Sequence, residues 1–147
     1  IDASGAMDRP RMRQRVFSDP AAKRRLERLP HPLIRTQMLA ETTIHSTGTA
    51  PYLMLVVPLL FEADAYRELV QRVLVVDCAE STQVERCMQR GGLLEAEVSA
   101  IMAQQLPRAE RLRRADDILH NDGDLDSLRT QVQTLHQDYL ASGQSSN

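Results

Sequence analysis

Apolar residues recur along this chain with two different rhythms. Where they fall three or four apart, helices are predicted. The first has a start at Asp8-Arg9-Pro10, with Asp8 able to cap and Pro10 tolerated in the first turn, followed by Met12, Val16 and Phe17. Ser18-Asp19-Pro20 breaks that helix and begins another, with Leu26 and Leu29 opposite a basic face of Lys23, Arg24, Arg25 and Arg28. Pro30-His31-Pro32 reads as a further interruption, because a residue before proline is pushed out of the helical region. Leu33, Ile34, Met38 and Leu39 then predict a helix to about His45, and Ser46 to Pro51 is a turn cluster. Later, Val84, Cys87 and Met88 follow a Ser81 start with Glu85 nearby and stop at Gly91-Gly92. Val98, Ile101 and Met102 mark a helix across 95–105, and an arginine-rich helix follows Pro107. Leu125, Leu128, Val132, Leu135 and Tyr139 line one face of a closing helix, with Ser142 to Asn147 as a frayed polar tail.

The second rhythm is continuous. Six successive apolar or aromatic residues, Tyr52 to Val57, stop on Pro58, which has no amide to donate, so the run reads as a strand covered on both faces. Arg72 to Asp77 is rich in β-branched residues and predicts a second buried strand, and Asp117 to His120 a short third. A short helical segment is expected after Glu62 to about Val70, and Asn121-Asp122-Gly123 is a turn. Strands separated by helices give the α/β class with parallel pairing. In such sheets ligands sit beyond the carboxyl ends of the strands.

Composition narrows the function. At 147 residues the chain is the size of one domain, and its net charge of -2 gives no general case for nucleic acid or anionic membrane as a partner. Arginines are nevertheless concentrated, first at Arg9, Arg11, Arg13 and Arg15, then at Arg108, Arg111, Arg113 and Arg114. The guanidinium fork suits phosphate oxyanions. Taken alone, the later cluster reads as a solvated helix face, and His31 as a loop or capping residue. Cys78 and Cys87 form no CxxC and no histidine lies at ligand spacing, so neither zinc nor a disulfide framework is indicated. Asp116 and Asp117 are adjacent on a strand and point to opposite faces, which argues against a shared metal. The longest apolar stretch is far short of a membrane span and no signal pattern opens the chain, so a soluble cytoplasmic protein is expected. Nothing in the pattern specifies an oligomer.

Four runs taken together, His31-Pro32-Leu33-Ile34, Val57-Pro58-Leu59-Leu60-Phe61-Glu62, Arg72-Val73-Leu74-Val75-Val76-Asp77 and Ala115-Asp116-Asp117-Ile118-Leu119-His120-Asn121, resemble dephospho-coenzyme A kinases. Gln83, Arg86 and Arg90, then Gln105, Arg108 and Arg111, keep the same order and spacing, and the likeness runs from about Met7 to Leu140. That family transfers the γ-phosphoryl group of ATP to the ribose 3′-hydroxyl of dephospho-CoA. The resemblance implies a P-loop kinase fold with sheet order 2-3-1-4-5, in which the three strands would be 3, 4 and 5. It divides a partial kinase domain into a helical acceptor-binding region (7–45), a core (51–85 and 115–147) and a lid (86–114).

The resemblance also implies a glycine-rich phosphate loop and a catalytic aspartate, and neither is found in these residues, which begin at Ile1. The expectation is therefore of a chain lacking roughly fifty to sixty N-terminal residues, including strand 1, and inactive alone. Among the residues present, Arg86 is expected to act on the ATP phosphates in catalysis, with Arg108 and Arg111 also binding phosphate and Asn121 near the adenine. His31 and the turn Pro58, Leu59, Leu60, Phe61 and Glu62 would line the acceptor pocket. ATP is the implied co-substrate and Mg2+ the implied ion, its ligands lying in the segment not found here. The rival readings are a non-catalytic CoA-binding or assembly module and another nucleoside monophosphate-type kinase.

Overall fold

A computed structural model describes residues 4–46, 48–63 and 66–144, with the side chains of Phe17, Ala63 and Gln144 also outside the description. Thr47 of the turn cluster, Asp64 and Ala65 of the short helical segment, and residues 145–147 of the tail therefore lie outside the described residues. The chain forms two compact units, residues 1–53 and 54–147.

The first unit is helical: α1 (Arg9–Ser18), α2 (Pro20–Glu27) and α3 (Pro30–Ser46). Asp8 caps α1 by accepting from the Arg11 N–H at 3.0 Å. Asp19 caps α2, accepting from Ala21 and Ala22 at 2.8 and 3.0 Å, and these amides hold its carboxyl below the usual carboxylate range. The expected interruption at Pro30-His31-Pro32 is instead the start of α3. Both prolines sit in its first turn, where the amide that proline lacks has no intrahelical partner. Ala22 is buried, whereas Leu33 and Ile44 on α3 are exposed.

The second unit is α/β. After α4 (Leu60–Ala63) and a 3-10 turn (Arg67–Leu69) come β1 (Leu74–Asp77), α5 (Glu80–Gly91), α6 (Glu95–Met102), α7 (Arg108–Arg114), β2 (Asp117–His120) and α8 (Leu125–Gln144). Strands β1 and β2 pair in parallel, with Leu74 opposite Asp117 and Asp77 opposite His120. The third expected strand is corrected. Residues 52–57 form no ladder, since the only sheet among the described residues is the pair β1-β2, and Leu53, Met54 and Val56 are exposed. An apolar run becomes a strand only when a neighbour takes its amides and carbonyls, and neither β1 nor β2 does so here.

The start of the ladder is tied by side chains. Val73 is buried, its N–H donates to Asp116 Oδ2 at 2.8 Å, and its carbonyl accepts from the Asp116 and Asp117 amides. Arg72 grips Asp117 with Nε and Nη2 at 2.8 and 2.7 Å, and the Tyr139 hydroxyl on α8 donates to the same carboxylate at 2.8 Å. The two adjacent aspartates thus serve different partners. At the far end, the Gln131 side chain accepts from the His120 N–H and donates to its carbonyl, both at 2.9 Å.

Candidate active site at the strand ends

β1 ends in Asp77, and the pairing continues for one bond beyond β2, where the Asn121 N–H donates to the Asp77 carbonyl at 2.7 Å. Just past this edge α5 begins. Its N-terminus is anchored by Asp122, whose Oδ1 accepts from the Ala79 N–H at 2.8 Å and the Thr82 hydroxyl at 3.2 Å. Gln83 ties the same turn down by donating to the Cys78 carbonyl at 2.9 Å. The helix ends as the Gly91-Gly92 pair predicts: Gly92 is left-handed (φ 60°), a conformation that favours a residue without Cβ, and its N–H caps the Met88 carbonyl.

Three arginines approach from α5 and α7. Arg86 donates Nη1–H to the Asn121 carbonyl at 2.9 Å. Arg108 forms a side-on fork with Asp77, Nε to Oδ1 at 2.8 Å and Nη2 to Oδ2 at 2.5 Å. Asp77 is 3% exposed, and the Arg108 bonds hold its carboxyl below the usual range against the opposing effect of burial. His120 Nδ1 lies 3.9 Å from Asp77 Oδ2. Arg111 turns instead to the linker before α7, donating to the Leu106 carbonyl at 2.6 Å. The Leu106 N–H donates to Glu62 Oε1 at 2.8 Å, so Glu62 and Arg111 clamp one residue from both sides.

The structure therefore brings Arg86, Arg108 and Asn121 to one edge, and joins Arg111 to Glu62 through Leu106. Both main-chain groups of Asn121 are engaged, its N–H by the Asp77 carbonyl and its C=O by Arg86. In the turn before α4, Leu59 is held at φ 55°, a left-handed conformation costing a non-glycine residue about 1–2 kcal/mol. Pro58 and Leu59 are exposed, Leu60 and Phe61 half-buried, and the Arg114 guanidinium stands 6.0 Å from the Phe61 ring centroid. His31 belongs to the first unit, exposed in the opening turn of α3. Sequence reasoning missed Asp122 as the anchor of α5 and Asp77 as the partner of Arg108. Neither contact is local: Asp122 lies 43 positions from Ala79 and Asp77 lies 31 from Arg108, so no short-range pattern signals them. Between α5 and α6 an open cavity of ≈ 670 Å³ is lined by Cys78, Gln83, Arg86, Cys87, Val98 and Met102 among others.

The clamp on Leu106 makes a direct prediction. Glu62→Ala should speed hydrogen exchange of the Leu106 amide by about fivefold to tenfold, the worth of one hydrogen bond. Unchanged exchange would show that Glu62 does not hold the linker.

A family model described as Dephospho-CoA kinase matches residues 1–127. The chain belongs to the dephospho-CoA kinase family. A dephospho-CoA kinase of Chromobacterium violaceum is 49% identical over 141 residues, covering 96% of this chain and 68% of the relative. One from Dechloromonas aromatica is 51% identical over 138 residues, covering 94% and 65%. The chain thus spans about two thirds of the length of these dephospho-CoA kinases. Among solved structures, TT1252 from Thermus thermophilus superposes with a TM-score of 0.71 at 33% identity, covering 91% of this chain and 68% of that one. The dephospho-CoA kinase from Campylobacter jejuni gives 0.65 at 27% identity, covering 97% and 70%. The α/β class with a parallel sheet holds, on the P-loop kinase fold of these dephospho-CoA kinases.

Proposed function

We propose that the full-length protein transfers the γ-phosphoryl group of ATP to the ribose 3′-hydroxyl of dephospho-CoA, the last step of coenzyme A synthesis, in the cytoplasm. Family membership supports the reaction. The observation that carries it onto particular residues is the meeting of Arg86 and Arg108 at the carboxyl ends of two parallel strands. Phosphoryl transfer spreads negative charge over the equatorial oxygens of the moving group, so catalysis is chiefly positioning and neutralisation. On this reading Arg86 contacts the transferring group and Arg108 steadies the ATP phosphates. Arg111 adds its remaining donors, Asn121 offers its side-chain amide to the adenine, and residues 86–114 act as the lid. The turn from Pro58 to Glu62 meets the acceptor.

Among the described residues no group of three or more His, Cys, Asp or Glu could hold a metal ion by itself, and Mg2+ beside a nucleotide is held largely by phosphate oxygens and water. Asp116 and Asp117 are already bonded to Val73, Arg72 and Tyr139. No helix of the described residues is long and apolar enough to cross a membrane.

The test is acceptor choice. Full-length protein given γ-labelled ATP should label dephospho-CoA, and labelling of a nucleoside monophosphate in its place would overturn the reading. Residues 1–147 alone should transfer nothing, since they contain no Gly-x-x-x-x-Gly-Lys-Ser/Thr cradle for the phosphates. ATP turnover by that piece would contradict this expectation.

A further inference from the structure

Asp77 closes β1 with a carboxylate whose side chain is 2% exposed, a place where an ionised group persists only when its oxygens are well bonded. Both oxygens are bonded by Arg108, through Nε to Oδ1 and Nη2 to Oδ2. A fork of this kind fixes the plane of the guanidinium. It uses one edge of the group only. Nη1, with two further donors, has no bond to the described residues, and the Arg108 side chain is 35% exposed. As an anchor for α7 alone the pair would be an expensive device, because a buried ion pair contributes little net stability compared with apolar packing. As a way of ordering an arginine before an anion arrives it is effective, since the side-chain freedom is already lost. The pair also stands at the end of β1, beside the Asn121 peptide that receives Arg86.

We propose that Asp77 is a positioning residue for phosphoryl transfer: its buried carboxylate holds Arg108 by Nε and Nη2 so that Nη1 is presented, already oriented, to a nucleotide phosphate. This rests on reading Arg108 as a phosphate ligand. Asp77 itself touches no substrate. It acts through Arg108, so removing the carboxylate matters only while the arginine is there to be aimed.

That dependence is the test, made in the full-length protein with ATP and dephospho-CoA. Asp77→Asn should lower kcat about 20-fold and leave the KM for dephospho-CoA within about twofold of the parent. Arg108→Ala should lose at least as much, and adding Asp77→Asn to it should cost nothing more in kcat. A double variant reduced by the product of the two single losses would overturn the proposal, as would Asp77→Asn with kcat within about twofold of the parent. Should Asp77→Asn fail to fold, Arg108→Lys decides, because an ammonium keeps the charge but cannot form the side-on fork. It should lose as much as Arg108→Ala, and parent-like turnover would overturn the proposal. Parent-like turnover in Arg108→Ala would reject the phosphate reading itself, whereas an impaired Arg108→Ala beside an unimpaired Asp77→Asn rejects only the role of Asp77.

Discussion

Arg86→Ala in the full-length protein is expected to lower kcat about 100-fold, with the KM for dephospho-CoA changed by no more than about twofold. Arg86 sits mid-helix on α5, a helix fixed at its start by Asp122 and Gln83, so its guanidinium is delivered from a rigid support. One donor is spent on the Asn121 carbonyl, a neutral acceptor, and the rest of the fork remains for anionic oxygens. Charge on those oxygens changes as the phosphoryl group moves, so the loss belongs in turnover and not in acceptor affinity. Steady-state kinetics with both substrates varied is the measurement. Equal kcat in variant and parent would remove Arg86 from the chemistry.

Asp117→Ala should destabilise the protein by about 2–3 kcal/mol, or roughly 5–10 °C in Tm for a chain of this size. One carboxylate accepts two bonds from Arg72 and one from Tyr139, and its loss leaves a part-buried hydroxyl without that acceptor. The same knot has a pH signature. The Arg72 bonds hold the Asp117 carboxyl below its ordinary value of 3.8. Its contribution is therefore complete above about pH 4, declines as the pH drops below that, and is gone once the lowered native value is passed. Burial, then the Asp117 carboxylate, pushes the Tyr139 phenol up to about 12. A raised native value stabilises the protonated form, so that contribution is complete below about pH 10 and is lost as the pH climbs to about 12. Thermal melts across pH check both limbs. In Asp117→Ala the acid limb should flatten, and a Tm equal to that of the parent at neutral pH would refute the stabilising role.

Much of this arrangement was legible in the residue pattern because it is local. Asp8 and Asp19 cap the helices they precede, and Asp117 to His120 forms the expected strand because its bonding partner, Leu74 to Asp77, is also present. Tyr52 to Val57 has the stronger apolar signal and forms no ladder, since a strand depends on a bonding neighbour and neither β1 nor β2 pairs with it. Pro30 misled for a different reason. Proline breaks a helix interior but suits a first turn, and periodicity alone does not say which position it holds. The arginines were recognisable by type and spacing, whereas their partners were not. Asp77 lies 31 positions from Arg108, Asn121 lies 35 from Arg86, and Glu62 lies 44 from Leu106. Contacts at that separation are set by the packing of β1, α5 and α7, which no local window of sequence contains.

The Gln131 amide has an effect beyond holding α8 to the sheet. By occupying both the N–H and the C=O of His120, it imitates the bonds an adjoining chain would make and stops the exposed rim of β2 from recruiting one at that residue. A single glutamine thus closes the last residue of β2 to a further strand, with no proline there.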